Sequence, residues 1–514
     1  MSKLDNGAFQ GVSAILYRIF SSTLNSSGSS ALVLPDGQAL YVKPMAAADI
    51  ATLPQTAALC HRYLKLGDGD VALTNDPYSG GTHLAEFTLV TGVSLFGGDI
   101  DFLLTQRVSF SPRLPDDLKK QARIDDEGVR VPPMPLGRLD NLNRDLVQAI
   151  AMHPLAPREL FATLESAVVD LNRASTKLKR LALDPSSVLR KKLLRNHIDN
   201  YFADSARVFE MQMAKLPLGN SLVSHQFNTG ETIKLELKMS EDRLIFDFGG
   251  SEASASLGLT DQATFGACFA ATISAFDSWV PMNSATFQHL QVSAPAKTIL
   301  SANAPLGTLR GMLEGVPAVC RLASKAFTRL NRNFRSAEAA TSQTAIQLLF
   351  DDGRLLSLAV PHGSAASPHH AGIDGLNLWM DSSTLFSGPI RGHEDIADIE
   401  RLDRDFPVEL VSVGLRASSA GLGKTSGGNG TTLGLKILAP CELRWLEPSL
   451  GTRNEGIDSG RTGVSASLEI VQVSGTRENL NKCCGSHRLQ VGEQLFVLTS
   501  GGGGCGEPPN PESH

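Results

Sequence analysis

Four side chains able to bind a metal ion or move protons, Asp76, Tyr78, His83 and Glu86, fall within one short stretch of this chain. Residues 74–86 read Thr-Asn-Asp-Pro-Tyr-Ser-Gly-Gly-Thr-His-Leu-Ala-Glu. A carboxylate, an imidazole and a second carboxylate so placed suit general acid–base work or part of a metal site. Gly80-Gly81 lets the backbone take positive φ or approach a ligand closely. Residue types alone fit a second reading equally well, a polar turn in which Asp76 caps backbone amides and His83 is incidental.

Such a loop needs rigid neighbours, and two apolar runs, residues 71–73 and 87–95, flank it as strands. Asn-Asp-Pro ends the first, because a residue before proline avoids the α region. Upstream, Phe9, Val12, Leu16, Ile19 and Phe20 recur at helical spacing, which predicts a helix over 5–24. Pro35-Asp36-Gly37 predicts a hairpin between 31–34 and 39–42. Residues 46–66 read as a helix with Pro54 near its middle. A second hairpin joins 87–96 to 100–108 across Gly97-Gly98.

Residues 111–135 are proline-rich and loop-like. Helices are expected over 142–152, 159–183 and 188–213, carrying Lys177, Lys179, Arg180, Arg190, Lys191, Lys192 and Arg195. Without interleaved aromatic residues these charges read as solvated helix faces, not a nucleic-acid surface. Strands are expected at 233–239 and 244–248, and helices at 263–276, 316–330 and 337–349. Beyond Pro361 the pattern changes to short strands and Gly/Ser loops, with strands at 408–415, 432–437, 443–446, 464–473 and 494–498. The resulting expectation is an α+β protein of four parts: 1–136 with the loop, a helical segment 137–220, an α+β part 221–360, and a β-rich, glycine-rich part 361–514.

The 514 residues carry 47 Lys and Arg against 53 Asp and Glu, a net charge of −6, which offers no electrostatic case for nucleic acid. The mean hydropathy of −0.04 is that of an ordinary soluble protein. Seven scattered cysteines without a C-x-x-C pair fit a reducing compartment rather than a disulfide framework. No run approaches the ~18 apolar residues of a membrane span, and the start lacks the apolar core of a signal peptide. A cytoplasmic location with no membrane partner is the expectation.

Several motif look-alikes fail on context. Gly423-Lys424-Thr425 has Ser418 where a phosphate-binding loop needs its leading glycine, and Ser426-Gly427-Gly428-Asn429-Gly430 is a poor helix start. Gly501-x-Gly503-x-x-Gly506 is followed by Pro508, Pro509 and Pro511 instead of a helix. His393-Glu394 has Ala397 where a zinc helix needs its second histidine. His369-His370 with Asp374 reads as a surface loop or a metal candidate. No ATP site is expected on this chain.

Taken in order, a set of stretches resembles the hydantoinase B/oxoprolinase family. They are Asn75-Asp76-Pro77-Tyr78-x-Gly80-Gly81-Thr82-His83, Glu127-Gly128-Val129-Arg130-Val131-Pro132-Pro133 and Asp247-Phe248-Gly249-Gly250-Ser251. Pro281-x-Asn283, Gly421-x-Gly423-Lys424 with Gly427-Gly428, and the glycine run from Gly501 to Gly506 with Glu507-Pro508 complete it. The resemblance implies a large mixed fold. It also implies a place among ATP-dependent hydantoinases, oxoprolinases, lactam hydrolases and related ketone carboxylases. There, a hydantoinase A-type partner holds ATP-Mg and phosphorylates the substrate oxygen, and the B-type chain supports attack on the activated carbon. The implied site uses Asp76, His83 and Glu86 for catalysis. It uses Asn75, Tyr78, Gly80, Gly81 and Arg107 for substrate, and His83 and Glu86 for one divalent metal, zinc or manganese. A metal set of this family resembles carboxylate–histidine–histidine, and the chain departs from it. Leu34 stands where the carboxylate is expected, and Phe110 follows Arg107-Val108-Ser109 where a histidine is expected. Ser418 and Ser426 replace an aspartate and an arginine in the Gly-Lys loop. The reading is therefore a subunit of an ATP-dependent cyclic-amide hydrolase, with an A-type partner and a second B-type chain as candidates for its complex. The alternatives are a non-catalytic paralogue and a subunit of a ketone carboxylase.

Overall fold

Residues 74–86 connect two neighbouring strands of a seven-stranded antiparallel sheet. Its strands are β1 (Ser29–Val33), β2 (Ala39–Lys43), β3 (Asp70–Thr74), β4 (Glu86–Val93), β5 (Phe102–Ser109), β6 (Met134–Arg138) and β7 (Asn141–Leu142). They lie in the order β2-β1-β5-β4-β3-β6-β7. The computed structural model describes residues 11–24, 28–114, 117, 120, 122–157, 159–330, 336–340, 343–380 and 399–509. The chain forms two compact units, one of Met1–Pro112, Gln121–Ser224 and Thr232–Ser324, the other of Arg113–Lys120, His225–Glu231 and Lys325–His514.

In the first unit every residue of β4 is buried, as expected of a strand covered on both faces. Helix α1 (Gly11–Thr23) precedes the sheet, and α2 (Asp49–Leu64) packs on β1, β4 and β5. Leu53, Ala57 and Cys60 of α2 meet Ala31, Val33, Val90 and Leu103 there. Pro54 does not end α2; the helix runs through it. The Pro35-Asp36-Gly37 hairpin forms as expected, with Leu34 N–H donating to the Gln38 carbonyl at 2.8 Å and Gly37 at φ +96°. Helices Arg144–Ala151, Leu160–Leu183 and Leu194–Met213 follow, the last starting later than the expected 188 because 185–193 form turns. A four-stranded sheet of Gly219–Gln226, Thr232–Met239, Leu244–Asp247 and Leu290–Ser293 completes the unit's strands. The buried helix Asp261–Ser274 runs beside it, where Gly266 lets the Ala47 carbonyl come close.

Two more sheets make the second unit, in the orders Leu355–Val360, Thr344–Phe350, Cys441–Leu446, Cys484–Leu489 and Val408–Arg416, Gly430–Ile437, Gln494–Leu498, Ser467–Val471, Arg477–Asn479. Ile346, Leu348, Leu433, Leu435, Leu443, Leu468 and Val497 share its core. The helix expected over 337–349 is wrong. Ala, Glu and Gln favour helix locally, but Thr344–Phe350 pairs on both sides, Ile346 with Leu358 and with Trp445, and this pairing overrides propensity. The glycine loops pack backbone on backbone. Gly421 N–H donates to the Gly502 carbonyl at 2.8 Å, Gly502 N–H to Gly428 at 2.9 Å, and Gly428 N–H to Ser364 at 2.9 Å. No helix opens after Gly423-Lys424-Thr425 or within residues 501–509. His393 and Glu394 lie outside the described residues. Among the described residues no helix is long and apolar enough to cross a membrane.

Candidate functional site

The loop between β3 and β4 is held by its own polar side chains. The buried Asn75 donates from Nδ2 to the carbonyls of Leu84 at 2.8 Å and Val129 at 2.7 Å, and its Oδ1 accepts from Val131 N–H at 2.7 Å. One amide thus clips the loop's two ends together and to the stretch beginning at Glu127. Asp76 caps the short turn Pro77–Ser79, accepting from Tyr78 N–H at 3.1 Å and Ser79 Oγ at 2.9 Å. Arg130 adds a bidentate pair to the same carboxylate at 3.0 Å for each bond, a geometry that fixes both oxygens. The Tyr78 hydroxyl donates to the Leu306 carbonyl at 2.6 Å, with the Arg130 guanidinium 5.9 Å from its ring centre. Burial, with the Glu127 carboxylate, raises the Tyr78 phenol well above its ordinary range.

Gly80 needs to be glycine on two counts. Its φ is +96°, and a Cβ would lie 2.8 Å from the Thr56 backbone nitrogen. Thr56 Oγ1 donates to its carbonyl at 2.6 Å, tying the loop to α2. Arg107, on β5, is 1% exposed. Its Nε donates to Thr88 Oγ1 at 2.9 Å, and its Nη1 donates to Asp49 Oδ1 at 2.7 Å and Thr52 Oγ1 at 2.8 Å. The structure therefore places Asn75, Asp76 and Gly80 in holding the loop, with Gly81 N–H donating to the Asp76 carbonyl at 3.0 Å, while Arg107 joins β5 to β4 and α2 and reaches the loop only through the Gly80 carbonyl at 3.5 Å.

His83 and Glu86 are the pair brought together inside it. They are 1% and 5% exposed, with His83 Nε2 3.8 Å from Glu86 Oε2. Glu86 accepts from Ser109 Oγ at 2.8 Å and from the Thr82 hydroxyl. His83 Nδ1 accepts from Ala85 N–H at 3.2 Å, while Nε2 has no hydrogen-bond partner among the described residues. Burial holds the His83 imidazole below its usual range, against the opposing pull of the Glu86 carboxylate.

The metal set implied by the family does not fit these residues. Phe110 does reach the loop, its N–H donating to the Ala85 carbonyl at 2.8 Å, but its ring packs edge-on against Phe87. The placement of Leu34 needs correcting: β1 pairs Ser29 with Arg107 and Val33 with Leu103, whereas Glu86 pairs with Ser109. Leu34 follows Val33 at the far end of β1, at least four strand residues, or about 13 Å, from the Arg107 row. Asp76 is committed to Arg130. What remains is two groups where catalytic zinc sites use three protein ligands. Among the described residues no three His, Cys, Asp or Glu side chains gather as a metal set. His369 and His370 are exposed, and Asp374 accepts from Asn429 N–H at 2.6 Å.

Sequence reasoning missed two polar clusters. Glu127 accepts from the backbone N–H groups of Thr308 at 3.0 Å and Leu309 at 3.1 Å, and desolvation pushes its carboxyl up to about 7. Its place beside Arg130 in the Glu-Gly-Val-Arg stretch was the available signal. The second cluster lies in the other unit, where His362 Nε2 is 3.2 Å from Glu447 Oε2 and Ser500 Oγ is 2.8 Å from His362 Nδ1. Ser500 is fully buried, so this Ser–His–Glu relay is closed to substrate. Burial pushes the Glu447 carboxyl up, but His362, the Thr344 hydroxyl and Ser449 N–H outweigh it and hold it below the carboxylate range. A depressed folded-state pKa stabilises above the unfolded value, about 4.3, and the gain is lost as pH falls through the folded value. Glu447→Gln is therefore expected to flatten the loss of stability between pH 5 and pH 3, read from urea midpoints at each pH. An unchanged acid limb would show that Glu447 does not carry it.

A model of the hydantoinase B/oxoprolinase family matches residues 18–508. An uncharacterised protein of Methanocaldococcus jannaschii is 22% identical over 462 residues, covering 87% of this chain and 77% of that relative. A 5-oxoprolinase of Dictyostelium discoideum is 21% identical and covers 93% of this chain, which spans only 37% of that relative's length. Among solved structures, an ATP-dependent caprolactamase from Pseudomonas jessenii superposes with a TM-score of 0.76 at 17% identity, covering 98% of this chain and 90% of that one. The nucleotide-free acetone carboxylase gives 0.76 at 11% identity, covering 98% and 74%. At such identities the structures show a shared fold.

Proposed function

The chain belongs to the hydantoinase B/oxoprolinase family, and from that membership we propose that it is a subunit of an ATP-dependent hydrolase that opens a cyclic amide of the hydantoin, 5-oxoproline or lactam type. A hydantoinase A-type subunit supplies ATP-Mg and phosphorylates the amide oxygen. That step converts a poor leaving group into a good one, because an unstrained amide otherwise resists attack. The observation that carries the reading is the family match running from residue 18 to 508, through the loop that pairs His83 with Glu86. In this chain Glu86, steadied by Thr82 and Ser109, is the carboxylate placed to take a proton, and His83 stands beside it. Asn75 and Arg130 keep the loop in that shape.

A second reading, a non-catalytic paralogue that keeps the fold and the partner surface, is favoured by Phe110 beside the loop and by the full commitment of Asp76 to Arg130. Both readings require the partner. Co-expression with an A-type subunit, followed by size-exclusion chromatography, is expected to give one co-eluting peak. Separate peaks at micromolar concentration would count against both. The isolated chain is expected to release no binding heat on titration with Mg-ATP, since neither glycine loop opens a helix. Micromolar binding would overturn the division of labour.

A further inference from the structure

One hydrogen bond decides what the His83 imidazole can do. The N–H of Ala85 points at Nδ1 from 3.2 Å, so Nδ1 has to present its lone pair. In the neutral ring the proton then sits on Nε2. That Nε2 lies on a side chain 1% exposed and has no hydrogen-bond partner among the described residues. Glu86 Oε2, at 3.8 Å, is beyond hydrogen-bond reach. A metal on Nε2 would require the opposite tautomer, with Nδ1–H donating to a carbonyl or carboxylate behind it. Here Nδ1–H would meet Ala85 N–H, two donors facing each other inside the protein. Beside the ring, Glu86 is the one further ligand type among the described residues and Phe110 presents only an aromatic ring packed on Phe87, so a metal here would find two protein groups where catalytic zinc uses three.

We propose that the neutral His83 ring carries its proton on Nε2 and that it is not a metal ligand. The tautomer does not rest on the cyclic-amide reading above.

The test uses the full chain labelled with nitrogen-15 in its histidine rings. His83 signals are identified by their loss in His83→Gln or, should that variant not fold, by through-space contact with Ala85. The expected spectrum shows an unprotonated Nδ1 and a protonated Nε2, both unmoved by equimolar Zn²⁺. A proton on Nδ1, or displacement of the His83 Nε2 signal by Zn²⁺, would overturn the proposal. The spectrum reads the ring and not turnover, so its failure would leave the cyclic-amide reading standing. Conversely, a complex that opens no ring would leave the tautomer intact.

Discussion

Asp49→Ala is expected to destabilise the chain by about 3–5 kcal/mol, the cost of stranding one partner of a buried ion pair. Asp49 Oδ1 is 2.7 Å from Arg107 Nη1, and both side chains are nearly inaccessible. The same carboxylate accepts from Ser29 Oγ at 2.6 Å and from Ala46 N–H at 2.8 Å, so it also fastens the start of α2 to β1. The double variant Asp49→Ala/Arg107→Met should recover part of the loss, because it removes the unpaired charge along with its partner. Urea unfolding of the single and double variants measures both. A single-variant loss below about 1 kcal/mol would mean that the buried Asp49–Arg107 pair does not hold α2 on the sheet.

Gly502→Ala should have an effect of similar size on the second unit. A Cβ at Gly502 would run into the Ser364 carbonyl, whose oxygen already accepts from Gly428 N–H. The obstacle is backbone, flanked by hydrogen-bonded glycine loops, and it cannot turn aside as a flexible side chain would. Overpacking commonly costs about 1–3 kcal/mol, and a backbone obstacle belongs at the upper end of that range. The second unit is expected to lose its native signal at a lower denaturant concentration than in the unsubstituted chain. Gly414→Ala, where a Cβ meets nothing within 4 Å, is the control and should be nearly neutral. Equal behaviour of the two variants would contradict the account of the glycine layers.

These two cases show what the sequence made readable. The loop, its flanking strands and the Pro35-Asp36-Gly37 hairpin were legible because turn residues act locally. Both readings of Asp76 and His83 began from the same letters, and Asp76 proves to cap the Pro77–Ser79 turn. The partners that decide its role could not be seen: Arg130 lies 54 residues away in sequence, and Arg107 meets Asp49 across 58. Strand register likewise had to come from the structure, because it alone separates Leu34 from the His83 loop. The stretch 337–349 misled for the related reason that helix-favouring residues were placed between two strands. Several stretches of the family pattern are fold chemistry. Asn283 caps the helix Ser284–Phe287 and bonds Ser205 at 2.8 Å, and Asp247 accepts from Gly249 N–H at 2.9 Å. They identify the fold without testifying to activity.

The central claim is that this chain contributes the His83–Glu86 loop to a reaction whose ATP chemistry lies on another subunit. The most direct measurement is ring opening by the co-purified pair, with hydantoin, 5-oxoproline and caprolactam each supplied with Mg-ATP. Product and ADP are expected together with one of these substrates, only when both subunits are present. Glu86→Gln in this chain is expected to lower kcat by at least about 10²-fold, the usual worth of a positioned acid–base group. A complex that turns over at the same rate with Glu86→Gln, or that opens none of the three rings, would contradict a catalytic role for this loop and leave the chain as a scaffold for its partner.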